Sequence, residues 1–191
     1  MFYSVDITKL QSIFGSNDNA LLQAVLDGKA DDLDDNDGFF EGYDLAIDSR
    51  TAMRNIFAGN VPTHDTSVAA MYGYVLKILC EHIGEFAGGD IYSTQILPMD
   101  SKLMSNGPPI PIPNDLGDFP EIGFLTAEGV VAERAAALNA LSPDAPGFFD
   151  NMREYTHHEL DEEELTEEIE AYQEVLGELV DQGKGTVAFR H

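Results

Sequence analysis

Cysteine is nearly absent from this chain. Among 191 residues there is one, Cys80. A single thiol closes no internal disulfide, so no disulfide framework exists and a reducing compartment is the natural setting. Basic residues are also scarce: ten Lys and Arg stand against 35 Asp and Glu, a formal net charge of −25 at pH 7. Such a field repels nucleic acid and anionic membrane surfaces and favours basic partners and cations. Ten scattered cations offer no phosphate-tracking groove. No window has the length and apolarity of a membrane span. The opening MFYSVDITKL carries Asp6 and no long apolar run, which is not a secretion signal. The expectation is a soluble, cytoplasmic protein. Absent as well are G-x-S-x-G, the phosphate-binding Gly-x-x-x-x-Gly-Lys loop, G-x-G-x-x-G, H-E-x-x-H and any cysteine pair. No internal repeat is visible, and no cofactor is expected.

What is present reads as an ordinary globular core. Hydrophobic residues make up 43% and charged residues 24%, and the length suits one domain over residues 1–191. The organising stretch is residues 66–86, TSVAAMYGYVLKILCEHIGEF. Val68, Met71, Tyr72, Val75, Leu76, Leu79, Ile83 and Phe86 recur at i, i+3, i+4 and i+7, the spacing of an amphipathic helix. Ala69, Gly73, Cys80 and Gly84 form a second, small edge that lets a neighbour approach closely. Only Lys77, Glu81 and Glu85 are plainly wet. This is expected to be the central, mostly buried helix of one core.

Around it, FYSV at residues 2–5 is a short β-prone run. Asp6 can cap a helix carrying Ile7, Leu10 and Ile13 or Phe14 inward as far as Gly15. Residues 20–26 read as a second helix ended by Gly28, and residues 31–44, DDLDDNDGFFEGYD, as an acidic loop. Ser49 is the expected cap of a helix over residues 50–58, stopped by Gly59. From Gly88 to Pro120, glycines and prolines break regular structure. Ile91, Ile96, Leu97, Leu103, Ile110, Ile112, Phe119, Ile122 and Phe124 make this stretch an ordered cover rather than a linker. Thr126 can cap a helix over residues 127–141. Phe148, Phe149, Met152 and Tyr155 ask for burial. A last helix spans about residues 161–181 with Leu165, Ile169, Tyr172, Leu176, Leu179 and Val180 as its core stripe. TVAF at residues 186–189 is a second β-prone run, suited to pairing with FYSV. The expected fold is α+β and mostly helical, with one buried central helix, amphipathic helices around it, and a small sheet including the N- and C-terminal strands.

Candidate sites follow from charge. An EF-hand register over residues 31–44 fails: Gly38 at position 6 puts Leu33 at position 1, and a start at Asp32 puts Asp37 where glycine belongs. Asp31, Asp32, Asp34, Asp35 and Asp37 are therefore read as a solvated acidic loop or a docking surface, with Phe39, Phe40 and Tyr43 as anchors or as core. On the last helix Glu163, Glu164, Glu167, Glu170, Glu174 and Glu178 share the face opposite the core stripe. Like charges at i, i+4 cost a few tenths of a kcal/mol per pair, so this face is either solvated or kept for a basic protein. His157 and His158 reach Asp161 and Glu162 at helical spacing but lack further metal ligands. Cys80 and His82 diverge on a helix and make no pair.

Three stretches carry a resemblance: FYSVDITKLQSIFGSNDNALLQAV at the start, YGYVLKILCEHIGE in the middle, and LVDQGKGTVAFRH at the close. They resemble a group of uncharacterised bacterial domains, distantly similar to the YfbM-like domains. The resemblance implies a β-run, helices and a final helix–Gly–strand ending. It also implies a role, since such domains often serve as immunity proteins in bacterial toxin systems. The expectation is an immunity or inhibitor protein that neutralises a cognate basic toxin through its acidic surface and is not an enzyme. Two alternatives stay open: a small enzyme whose site lies under the Pro-rich loop 88–120 with His82, Tyr72 and Asp100, and a housekeeping domain whose acidity serves only solubility or a halophilic setting.

Overall fold

A four-stranded antiparallel sheet divides the buried side chains into two groups. In the computed structural model, which describes residues 1–43, 45–88, 101–113, 120–140, 142, 148 and 162–190, the strands are β1 (Phe2–Val5), β2 (Glu85–Gly88), β3 (Glu121–Leu125) and β4 (Gly185–Arg190). Their order is β2-β1-β4-β3. The two terminal runs are the central pair, with Tyr3 opposite Val187 and Phe2 opposite Ala188. Side chains alternate across the pleat. Tyr3, Val5, Ile122, Val187 and Phe189 enter one core; Phe2, Leu125 and Ala188 enter the other.

The first face carries five helices: α1 (Ile7–Ile13), α2 (Asn19–Gly28), α3 (Ala30–Phe39), α4 (Ser49–Ala58) and α5 (Ala69–Ile83). The second carries α6 (Ala127–Ala140) and α7 (Glu162–Gln182). The described residues thus hold seven helices and four strands, an α+β and mostly helical architecture. Short polar side chains start the helices. Asp6 accepts from the Lys9 N–H, Asp18 from Ala20 and Leu21, and the Thr126 hydroxyl from Gly129. Gly59, at φ +70°, stops α4 in the left-handed conformation.

Helix α5 is buried along most of its length, from Ala69 to Cys80. It packs on α2, α3, α4 and β1. Its small edge works as the spacing implies: a Cβ on Gly73 would lie 2.8 Å from Pro120 Cδ, so the chain entering β3 crosses the helix there.

The structure corrects five expectations. The core is not one: α6 and α7 pack on the far face of the sheet, away from α5. Helix α5 ends at Ile83, and Phe86 lies on edge strand β2 at 61% exposure, packed edge-on against Tyr3. Ile122 and Phe124 belong to a strand, not to the Pro-rich cover; pairing with β4 overrides the weak local pattern around Gly123. The acidic stretch after Ala30 is helix α3 as far as Phe39, because Leu33, Asn36 and Phe40 present a buried stripe. Asp48, not Ser49, caps α4, accepting from Thr51 N–H at 2.6 Å.

Candidate docking surface

Helix α3 has one apolar anchor and many charges. Asp31 and Asp32 in its first turn suit the positive end of the helix, and Lys29 reaches back to Asp32 at 3.0 Å. Leu33 is fully buried. The buried Asn36 amide donates to Ser49 Oγ at 2.8 Å, and both groups approach the Met71 thioether, at 3.4 and 3.3 Å. Asp37 Oδ1 accepts from the Ser49 N–H at 2.7 Å. Arg50 Nη1 pairs with Asp34 at 2.6 Å, and its Nη2 donates to the Ala30 carbonyl. These contacts pin α3 onto the start of α4. They engage Asp32, Asp34 and Asp37 internally, while Asp31 and Asp35 stay exposed on the outer side.

At the C-terminal end of α3 four aromatic rings meet. Phe39 and Tyr43 are 57% and 65% exposed, with centroids 6.2 Å apart and planes only 19° from parallel. Phe40 is buried beneath them, edge-on to Phe39, Tyr43 and Tyr74 at 5.0, 5.7 and 5.4 Å. Gly42, at φ +99°, provides the turn that brings Tyr43 back over Phe40. Beside this cluster opens a recess of about 310 Å³ between Phe40, Leu45, Ile47 and Met71, with Asp37 and Asp48 also lining it. Hydrogen bonds from the Thr51 side chain and backbone hold Asp48 below the usual carboxylate range, with a smaller contribution from Arg54 and Arg50.

The second acidic group lies elsewhere. Glu163, Glu164, Glu167, Glu170, Glu174 and Glu178 are all exposed on α7, but α7 covers the opposite face of the sheet from α3. The two acidic stripes therefore do not form one continuous surface. The aromatic side chains named with them divide as well: Phe40 is core, while Phe39 and Tyr43 face solvent.

Other residues singled out by sequence are placed as follows. Tyr72 is buried and accepts a 2.9 Å hydrogen bond from Asn55 Nδ2; burial raises its pKa. His82 is half-buried against Gly28, ten residues further along α5, so the two do not converge. Cys80 is fully buried, and desolvation followed by the neighbouring Glu81 charge pushes its thiol far above the ordinary value. Ile91, Ile96, Leu97, Asp100, Phe119, Phe149, Met152, Tyr155, His157, His158 and Asp161 lie outside the described residues. Among the described residues no group of three or more His, Cys, Asp or Glu could hold a metal ion, and no helix is long and apolar enough to cross a membrane. The recess residues Leu45, Ile47, Asp48 and Met71, and the supporting Tyr74, escape a sequence reading. The paired aromatics at residues 39–43 are the one local signal pointing toward them.

The molecule is thus an antiparallel sheet between two helical layers, with acidic side chains and exposed aromatic rings gathered at the end of α3. A family model for a domain of unknown function, DUF7691, matches residues 1–191, and the chain belongs to that family. No curated protein and no solved structure matches it.

Proposed function

We propose that this protein is a cytoplasmic binding protein that neutralises a basic partner protein, as an immunity protein neutralises its toxin, and that it meets the partner at the end of α3. The resemblance of three sequence stretches to uncharacterised bacterial domains, distantly YfbM-like, among which immunity proteins occur, favours this role. The observation that carries the reading is the exposed pair Phe39 and Tyr43, at 57% and 65% exposure, on a rigid aromatic base beside acidic residues. Exposed aromatics on a preorganised support are the usual anchors of an interface. Surrounding negative charge speeds encounter with a positive partner and disfavours others.

Of the two acidic stripes, α7 offers no aromatic among its exposed positions, whereas α3 combines both features. This favours α3 for the primary contact in the proposed complex, with α7 contributing to the long-range field. The test is affinity capture from cells of the natural source, with the wild-type chain and a Phe39→Ala/Tyr43→Ala variant side by side. The expected result is a basic protein retained by the wild type, lost by the variant, and inhibited in its own activity at a one-to-one ratio. Identical capture by the two chains overturns the reading.

A further inference from the structure

We propose that the recess beside the start of α4 is an anchor pocket for one guanidinium-bearing side chain, an arginine presented by the basic partner. The proposal deepens the partner-binding reading and rests on it for the source of the arginine; the recess itself supplies the chemistry.

The recess, about 310 Å³ and open to solvent, lies at the small end of ligand sites and suits a single side chain rather than a large ligand. Phe40, Leu45, Ile47 and Met71 give it apolar walls that match a methylene stem. Asp37 and Asp48 are the two acidic residues that line it. Neither is a loose surface acid. Each is held through Oδ1 by a backbone N–H at the start of α4, from Ser49 at 2.7 Å and from Thr51 at 2.6 Å. Carboxylates fixed in this way pay little entropy when a cation arrives. Arg54 and Arg50 both act on Asp48 from outside the lining, and Arg50 is already engaged: it pairs with Asp34 and donates to the Ala30 carbonyl.

The aromatic cluster next to the recess favours guanidinium over ammonium. Phe39 and Tyr43, both packed edge-on against the lining residue Phe40, lie nearly parallel and largely exposed. Flat aromatic faces stack a planar guanidinium, and the five donors of arginine can bridge two carboxylates. Lysine supplies a point charge on a flexible stem and meets only part of this arrangement.

The test titrates the full-length, ¹⁵N-labelled chain with N-acetyl-arginine amide, N-acetyl-lysine amide and N-acetyl-citrulline amide at one ionic strength, reading amide shifts by NMR. Citrulline keeps the shape and loses the charge. The expected result is saturable shifts at Ile47, Ser49 and Thr51 with the arginine probe, weaker ones with lysine, and none with citrulline. Asp37→Asn/Asp48→Asn keeps an oxygen to accept each cap bond, and it should weaken the arginine affinity by roughly tenfold, as expected for losing charge-assisted hydrogen bonds. The proposal is overturned if the arginine probe gives no saturable shift at residues 45–51, or if citrulline matches it. Should the double variant fail to fold, the citrulline comparison on the wild type still decides. No arginine binding, with capture still lost in Phe39→Ala/Tyr43→Ala, removes the anchor and leaves the binding role. Arginine binding with capture unchanged in that variant supports the anchor and removes the binding role.

Discussion

The Tyr3 hydroxyl donates to Glu81 Oε1 at 2.7 Å, tying the first strand to the C-terminal half of α5 across 78 residues of chain. Lys77 Nζ reaches the same oxygen at 2.7 Å, and Lys29 Nζ reaches Oε2 at 3.3 Å. Two of the ten basic residues thus converge on one half-buried glutamate that links β1, α5 and the junction of α2 with α3. Lys77 also lies 6.0 Å from the centre of the Tyr3 ring.

This hub makes stability depend on pH in a defined window. Burial by itself raises the Glu81 pKa, but hydrogen bonds from Lys77, Tyr3 and Lys29 outweigh it and hold the group below its ordinary 4.5. Its contribution is present above about pH 4.5 and is lost as pH falls through the lowered value. Lys29 is held above its ordinary 10.5: burial opposes this, and Asp32 and Glu81 win. Its contribution is full below that value and is lost as pH rises past it. Glu81→Gln should cost about 1–3 kcal/mol at pH 7, the scale of hydrogen bonds to charged groups. Urea unfolding of both chains from pH 3 to 8 should show the gap closing in acid. A gap that stays constant with pH counts against the hub.

Gly73→Ala should destabilise the protein although alanine is the better helix former by about 1 kcal/mol. The added methyl meets Pro120 Cδ at 2.8 Å and Cγ at 3.0 Å, and Ile122 Cδ1 at 3.4 Å. Moving the Pro120 ring disturbs the entry to β3, so a net loss of about 1–3 kcal/mol is expected, the usual cost of overpacking. Denaturant unfolding measures it, and a stabilised variant means that the crossing yields easily.

Cys80 should be unreactive in the folded protein. It has no exposed surface, and its thiol is raised by desolvation and by the Glu81 charge. A thiol reagent such as DTNB at pH 8 should label it only in denaturant. Labelling of the native chain at the rate of a free thiol would mean that α5 opens locally.

Glu174→Lys should raise stability slightly. The lysine would stand four residues after Glu170 and four before Glu178, replacing two like-charge spacings on an exposed face. Each favourable pair contributes about 0.2–0.5 kcal/mol. A rise of roughly 1–3 °C in Tm is expected at low salt, shrinking as salt is added. No change at low salt would mean that the α7 carboxylates already find other partners.

Much of the architecture was legible residue by residue. The aspartate cap at position 6, the glycine stop at position 59, the apolar stripe of α7, that of α5 apart from Phe86, and the two β-prone ends are local signals, and each forms where its pattern indicates. Helix α3 was not legible because its buried stripe includes a polar member. Asn36 is core only through Ser49 and Met71, which come from α4 and α5. Strands β2 and β3 were not legible because four or five residues with a glycine inside carry little periodicity, and they exist through their partners β1 and β4.

For function the division runs the same way. The sequence alone determined that the chain is strongly acidic, carries one thiol, and places aromatic residues directly after an acidic run, since composition and adjacency need no folding to be read. Only the tertiary structure decided that the two acidic stripes lie on opposite layers, that Phe39 and Tyr43 face water while Phe40 does not, and that Asp37 and Asp48 share a recess. Those relationships depend on which segments the sheet holds together, and hydrogen bonding between distant strands is a property of the folded chain.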